Sequence, residues 1–259
     1  MRTAVITGGA QGIGEGVARR LLKEGVGEIA LIDRNAEKLA ETAAALTEAG
    51  GAILPIPMDV SSVSDCKAAM ARVIAHFGKV DILANCAGNT ERGGVLDTDE
   101  ALFERSISVN LRAPFFLMQE AARDMMTRKS GVVINITSML AYGGPPQIAI
   151  YSIAKSALVT LTKTAANTLK RDGIRVYAIN LGWAVTPQEH KLQTELHGMP
   201  EDWAARIGAR LPFGRLIIPD DVGGVCAFLV SEDAGMMTGN IIDLEQFVAG
   251  TMDVHPAML

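Results

Sequence analysis

Ser138, Tyr151 and Lys155 are the residues of this 259-residue chain whose types and spacing point to chemistry. A phenol and an ammonium four positions apart share one face of any helix that carries them. A helix is expected there, because apolar side chains recur at Ala154, Ala157, Leu158, Leu161, Ala165 and Leu169. Ahead of Ser138 stands Val132-Val133-Ile134-Asn135-Ile136, a β-branched run suited to a buried parallel strand. Gly143-Gly144-Pro145-Pro146 breaks both patterns and forces a loop. Ser138 therefore closes a strand, while Tyr151 and Lys155 open the next helix. A phenol, an ammonium and a hydroxyl are thereby expected to converge. Such a group belongs at the carboxyl edge of a parallel sheet, where open α/β folds bind ligands.

The elements that must position these residues alternate regularly. Residues 3–7 read as a first strand, followed by the turn Gly8-Gly9-Ala10-Gln11-Gly12-Ile13-Gly14. Val17, Ala18, Leu21 and Leu22 then mark one face of a helix that stops at Gly25. With a second strand over 29–33 this is a βαβ unit, and its glycines let the backbone approach a pyrophosphate at a helix N-terminus. Asp33 ends that second strand, where a carboxylate accepts hydrogen bonds from ribose hydroxyls and repels a 2′-phosphate. Arg34 is the neighbouring cation, and Ala10 and Gln11 add none, so NAD is expected over NADP.

Further along, a helix is expected over 37–48 and an extended segment over 52–58. Pro55 and Pro57 within that segment suggest an irregular or shortened ladder. Ser61 or Ser62 caps a helix running to about Phe77, and a fourth strand covers 80–84. One long helical stretch over 99–128 contains Asn110. Strands at 174–179 and 239–243 and a helix over 220–229 complete the pattern. Strict alternation predicts one α/β domain over residues 1–259: a Rossmann-type doubly wound parallel β-sheet flanked by helices on both faces. Residues 180–219, with Pro187, Pro200, Pro212 and Pro219, exceed a plain connection and predict a substrate lid at about 183–215.

Bulk properties exclude several classes. A content of 49% hydrophobic and 20% charged residues is globular, not disordered, and a net charge of −5 offers no basic footprint for nucleic acid. Apolar residues are spread over short segments, none long enough to span a bilayer, and no leader-like stretch precedes the first strand. A cytoplasmic protein with a small-molecule substrate, and with neither membrane nor nucleic acid as partner, is expected. Cys66, Cys86 and Cys226 are odd in number and lack CxxC spacing, as reduced and mostly buried thiols would. His76, His190, His197 and His255 form no metal-ligand pattern, so metal-free chemistry is expected.

In order and interval, Thr7-Gly8-Gly9-Ala10-Gln11-Gly12-Ile13-Gly14, Asp59-Val60, Asn85-Cys86-Ala87-Gly88, Asn110, Ser138, Tyr151-x-x-x-Lys155 and Asn180-Leu181-Gly182 form one series. Over essentially the whole chain it resembles the short-chain dehydrogenase/reductase superfamily. The resemblance implies a catalytic tetrad of Asn110, Ser138, Tyr151 and Lys155. It also implies a nicotinamide cofactor contacted by Gly8, Gln11, Gly12, Ile13, Gly14, Asp33, Arg34, Asp59, Val60, Asn85, Ala87 and Gly88, and by Tyr151, Lys155, Gly182, Val185 and Thr186. It further implies that the helices at 99–128 and 149–171, apolar over much of their circumference, pair across a two-fold axis in a homotetramer. Three departures stand out. Leu181 replaces a usual proline, which predicts a less rigid backbone beside the nicotinamide. Cys86 replaces a common asparagine. The chain continues Asp243-Leu244-Glu245-Gln246-Phe247 in place of acid-glycine-glycine, a tail placed to shape the substrate pocket or subunit contacts.

Oxidising a secondary alcohol needs a base, and a free tyrosine, with a pKa of about 10, is a poor one at neutral pH. Lys155 and an oxidised nicotinamide are expected to draw the phenol down, which requires roughly 4 kcal/mol of preferential phenolate stabilisation. Asn110 is expected to act through a backbone kink and its side chain, holding a water that relays protons toward Lys155. Ser138, Leu140, Gln147, Tyr151, Trp183 and His190 are the expected substrate contacts, with Tyr142, Gln188, Gln193, His197 and Trp203 as further candidates. Their hydrogen-bonding character favours a sugar, polyol or other small polar alcohol. A 3-oxoacyl thioester reductase is the second reading, and a non-catalytic dinucleotide sensor is a reading from another class. An extended-type epimerase or dehydratase would need a longer carboxyl-terminal domain and a different glycine spacing.

Overall fold

Side chains alternate across each strand, and that alternation builds two core layers. The computed structural model describes residues 1–251, which leaves His255 outside the described residues. Ala4, Ile6, Ile29 and Leu31 point to one layer, while Val5, Ala30 and Ile32 point to the other. The strands are β1 (Thr3–Thr7), β2 (Glu28–Asp33), β3 (Ala52–Pro57), β4 (Ile82–Asn85), β5 (Gly131–Ser138), β6 (Ile174–Leu181) and β7 (Ile241–Leu244). They form one parallel sheet in the order β3-β2-β1-β4-β5-β6-β7.

The helices are α1 (Gly12–Lys23), α2 (Ala36–Glu48), α3 (Val63–Phe77), α4 (Glu100–Ile107), α5 (Ala113–Arg128), α6 (Ala149–Leu169), α7 (Pro187–Lys191), α8 (Trp203–Gly208) and α9 (Pro219–Val230). Core residues of α1, α2 and α9 fill the first layer, and those of α3, α5 and α6 fill the second. The sheet is doubly wound, as expected. Strand order reverses between β1 and β4, so the crevice beyond their carboxyl ends is the topological switch point.

The prolines of β3 do not shorten its ladder. All six residues, Ala52 to Pro57, pair with Glu28 to Asp33. Ala52 and Met58 donate their N–H groups toward β2 at 2.8 and 2.9 Å, so even-numbered residues face the neighbour. Pro55 and Pro57 have the opposite parity and turn their donor-less nitrogens to the open edge, where no partner is needed.

Nor is 99–128 a single helix. A π turn over Ser108–Arg112 separates α4 from α5, with the Ala113 N–H bonded to the Ser108 carbonyl. Pro114 supplies the reason: it lacks the N–H that an α-helix would offer to the carbonyl of Asn110, four residues back.

Leu181, expected to loosen the backbone, does the reverse. It is the last residue of β6, in register with Ser138 on one side and Leu244 on the other, so ladder pairing fixes it from both sides. Beyond it the chain makes an excursion over 183–217 that carries α7, a π turn over Leu192–Leu196 and α8. A bridge between Ala184 and Ile217 pins its two ends together, with Val185 N–H to Ile217 carbonyl at 2.8 Å and Ile217 N–H to Trp183 carbonyl at 3.2 Å.

Candidate active site

At the end of β1 the backbone is shaped for close approach by an anion. Gly8 and Gly12 have φ of +66° and +60°, a region in which side chains are disfavoured. A Cβ on Gly14 would collide with the Gly8 carbonyl. Gln11 opens α1 without a side-chain cap, leaving the first N–H groups of the helix unclaimed by any side chain. This cradle fits a pyrophosphate. Ile13 packs on the first core layer behind it.

Asp33 stands beside the cradle at the end of β2. One carboxylate oxygen accepts the Ala10 N–H at 3.2 Å, and the other accepts the Asn35 N–H at 3.0 Å. Each oxygen keeps acceptor capacity for a ribose hydroxyl. Arg34 next to it is exposed.

Thr7 is a positioning residue that the sequence reading passed over. Its hydroxyl accepts the N–H groups of both Cys86 and Ala87 at 3.0 Å, tying the end of β4 to the glycine turn. Thr186 packs over the same turn, 3.3 Å from where a Cβ of Gly12 would lie. Asp59 is exposed and accepts the Ser61 N–H at 2.8 Å, and Val60 beside it is buried. Gly182 and Val185 are held by backbone bonds to Leu244 and Ile217.

Asn85 ends β4. Its side chain is buried, donates to Asn135 at 2.8 Å and leaves its own Oδ1 without a protein partner. Asn135 in turn donates to Thr162 on α6, so the Asn85 side chain ends a buried amide chain.

Two strands away, Ser138 ends β5 and its hydroxyl accepts the Leu140 N–H at 3.1 Å. Tyr151 and Lys155 occupy the first two turns of α6. Lys155 is only 3% exposed, donates to the Ile136 carbonyl at 2.8 Å and stands 5.6 Å from the centroid of the Tyr151 ring. Gly88 lies between the remaining groups: a Cβ there would sit 3.5 Å from Asn110 Oδ1 and 3.9 Å from Lys155 Nζ. All four expected residues therefore meet at the carboxyl edge of the sheet.

Burial dominates the electrostatics of this cluster. It pushes Lys155 down to about 8. It pushes the Tyr151 phenol up to about 12, against the pull of the Ser138 hydroxyl and with added help from the charge of Glu189. The Cys86 thiol is likewise pushed up to about 12 by burial, although neighbouring Lys155 opposes it. The expected lowering of Tyr151 is thus not the work of the protein's own groups, because desolvation outweighs them.

Asn110 sits in the π turn and is fully buried. Its side chain accepts the Asn89 N–H at 3.1 Å and donates to the Asn89 and Ser106 carbonyls at 2.9 and 3.0 Å. The expected kink is present, but the side-chain amide clamps the 89 loop.

On the substrate side the picture changes more. Leu140 is half-buried and Trp183 is 41% exposed at the mouth of the cleft. Gln147, Gln188 and His197 are exposed. Trp203 is not a pocket surface: it is fully buried and stacks beneath Trp183 with centroids 5.4 Å apart. His190 braces that stack, accepting the Trp203 indole N–H at 3.2 Å and reaching Glu201 at 2.9 Å. Both ring nitrogens are thereby engaged within the excursion. The Tyr142 hydroxyl donates to Asp243 at 3.1 Å, and the same carboxylate accepts from Asn180 at 2.8 Å.

Glu189, unforeseen from the sequence, and the atypical tail complete the region. Glu189 accepts from Trp183 Nε1 and Gln193 Nε2, both at 2.8 Å. Gln246, from the atypical tail, accepts the Phe213 N–H and donates to the Arg215 carbonyl, both at 2.7 Å, closing the far side of the excursion.

A family model described as enoyl-(acyl carrier protein) reductase matches residues 8–246. Cis-4-hydroxycyclohexanecarboxylate dehydrogenase of Sinomonas cyclohexanicum is 36% identical over 245 residues, covering 94% of this chain and 95% of that protein. Among solved structures, NAD+-bound xylitol dehydrogenase superposes with a TM-score of 0.85 at 30% identity, covering 95% of this chain and 98% of its own. L-sorbose reductase from Gluconobacter frateurii, complexed with NADPH and L-sorbose, gives 0.90 at 28% identity and covers 97% of each chain. The chain belongs to the short-chain dehydrogenase/reductase superfamily and is a dinucleotide-dependent oxidoreductase that interconverts secondary alcohols and ketones.

Proposed function

We propose that this enzyme uses NAD to oxidise a secondary hydroxyl of a sugar, polyol or other small polar alcohol, with Tyr151 exchanging the hydroxyl proton. The observation that carries this reading is the meeting of Ser138, Tyr151, buried Lys155 and Asn110 at the sheet edge that also holds the glycine cradle. The bound nicotinamide supplies the hydride acceptor in one direction and the donor in the other. The Gly8–Gly14 turn and the start of α1 hold the pyrophosphate, and Asp33 holds the adenosine ribose. Ser138 orients the reacting oxygen by hydrogen bonding. As a neutral phenol Tyr151 is ready to donate a proton to a carbonyl oxygen, whereas oxidation requires its phenolate. Lys155, with a pKa of about 8, is mostly cationic at neutral pH and supplies charge beside the ring. Oxidation is therefore expected to quicken as pH rises and reduction to slow.

The preference for NAD is supported by the Asp33 carboxylate, set where a 2′-phosphate would meet like charge, and by the exposure of Arg34. Residues 183–215 act as the substrate lid in this reading, supported by the pinned ends of that excursion. A cytoplasmic homotetramer completes it. Exposed Phe103, Phe115 and Ile153 on α4, α5 and α6 support the assembly, and three free cysteines suit a reducing compartment. Among the described residues no helix is long and apolar enough to cross a membrane. A second reading, reduction of a 3-oxoacyl thioester, draws on the description of the matching family model. A panel of polyols, sugars, cyclic alcohols and 3-oxoacyl thioesters, assayed with both cofactors by nicotinamide absorbance, separates the two. Turnover of polar alcohols with NAD is expected; turnover confined to thioesters with NADP would overturn the first reading.

A further inference from the structure

The substrate class follows from how Glu189 is held, on the premise that this site oxidises secondary alcohols. Both donors to its carboxylate, Trp183 Nε1 and Gln193 Nε2, fall on Oε1 at 2.8 Å. Oε2 has no hydrogen bond or ion pair among the described residues. Gln193 is 8% exposed, so one of the two donors is shielded from water, and the Glu189 backbone N–H is held by the Thr186 hydroxyl at 3.1 Å. Trp183 is fixed as well, its ring stacked at 28° on Trp203. It emerges two residues past Leu181, whose register partner is Ser138, and its partner Glu189 is near enough for its charge to reach Tyr151, so the pair lies on the reacting side of the sheet. Nearby cations are taken by other acids: Lys191 by Glu195, Arg206 by Asp202 and Arg215 by Asp221. A flat apolar face beside a fixed, free carboxylate oxygen suits a molecule with C–H on one side and O–H on the other.

We propose that Trp183 and Glu189 form a specificity subsite for neutral polyhydroxylated substrates, in which the indole carries the C–H face and Oε2 accepts a hydroxyl. The same charge excludes substrates that bear a carboxylate or phosphate near the reacting carbon. Glu189 thereby discriminates between two kinds of hydroxylated molecule that the tetrad alone would treat alike. Its charge also reaches Tyr151, which it helps to hold as the neutral phenol.

The test compares sorbitol and galactitol with gluconate and galactonate, using NAD, in wild type, Glu189→Gln and Glu189→Asp. Wild type is expected to favour the neutral member of each pair by about thirtyfold or more in kcat/KM, and Glu189→Gln to reduce that ratio to about threefold. Glu189→Asp keeps the charge and should keep the exclusion. In Glu189→Gln the acidic limb of the oxidation profile should also move to lower pH, a change that a purely structural role for Glu189 would not produce. Tryptophan emission titrated with the same four compounds reads the Trp183 subsite without turnover. An unchanged neutral-to-anionic ratio in Glu189→Gln, or hexonates binding wild type as well as hexitols, would overturn the proposal. Hexitol-specific emission changes without turnover of any of the four would support the subsite and count against the alcohol-oxidation reading instead.

Discussion

The cleft at the ends of β1 to β4 and the excursion over 183–217 are built from different kinds of contact. The cleft is a backbone structure: left-handed glycines, an uncapped helix start and a Thr7 hydroxyl that gathers two N–H groups. The excursion is pinned at its ends by a backbone bridge and held between them by side chains that reach across 6, 11 and 33 residues: Trp183 to Glu189, His190 to Glu201, and the Gln246 amide to the Phe213 N–H. A backbone structure admits few residue types at each position, whereas side-chain pairs can be exchanged without moving the chain. On the proposed reading, the first holds the dinucleotide and the second is free to set the substrate.

The largest expected effect belongs to the junction of the two regions. Tyr151→Phe should lower turnover by roughly 10²–10⁴-fold while leaving the cofactor Kd nearly unchanged, since the lost hydroxyl moves a proton and does not hold the dinucleotide. Parallel loss of cofactor binding, measured by titration, would mean that the two regions are not separable in this way.

Next in size is Asp33→Ala, which acts on the cleft alone. Loss of hydrogen bonds to a charged group should weaken NAD binding by roughly ten- to a hundredfold, and NADP should bind better than before as Arg34 is freed to meet the 2′-phosphate. Calorimetric Kd values for both cofactors at one ionic strength check this, and an unmoved NAD/NADP ratio would count against it. The substrate ranking should not change.

Gln246→Ala acts on the excursion alone. Removing two backbone clamps should raise KM by roughly three- to tenfold with little change in cofactor affinity. A fall in cofactor affinity equal to the rise in KM would show that the tail serves the cleft instead.

The smallest effect is thermal. Burial holds Lys155 at about 8, below its ordinary 10.5, so the folded state disfavours its proton. Between those values the unfolded chain binds more protons, and wild-type stability should rise with pH across that window. Lys155→Met removes the buried charge and, although inactive, should raise Tm by roughly 2–5 °C below pH 8. The gain should shrink toward pH 10; a lower Tm at neutral pH would mean that the bond to the Ile136 carbonyl outweighs desolvation.

Legibility in the sequence followed the same division. The alternation of elements, the glycine turn, Asp33 and the spacing of Tyr151 and Lys155 could be read because each reflects a local geometric demand. The edge position of β3, which lets Pro55 and Pro57 pair without loss, depends on strand order and leaves no local mark. The π turn was missed, although Pro114, four residues after Asn110, carries a local mark of it in its missing N–H. Glu189, the partners of Gln246 and the burial of Trp203 and Asn85 were hidden, since each depends on a partner chosen by the tertiary fold.

One measurement bears most directly on the claim that this sheet edge passes hydride and proton between a secondary alcohol and a nicotinamide. The protein, NAD and a hexitol deuterated at its secondary carbinol carbons are mixed, and cofactor and product are analysed together by mass spectrometry. Deuterium should enter the nicotinamide in step with ketone formation in wild type, and both should vanish in Tyr151→Phe. Ketone formed without deuterium in the cofactor, or formed as fast by Tyr151→Phe, would contradict the account.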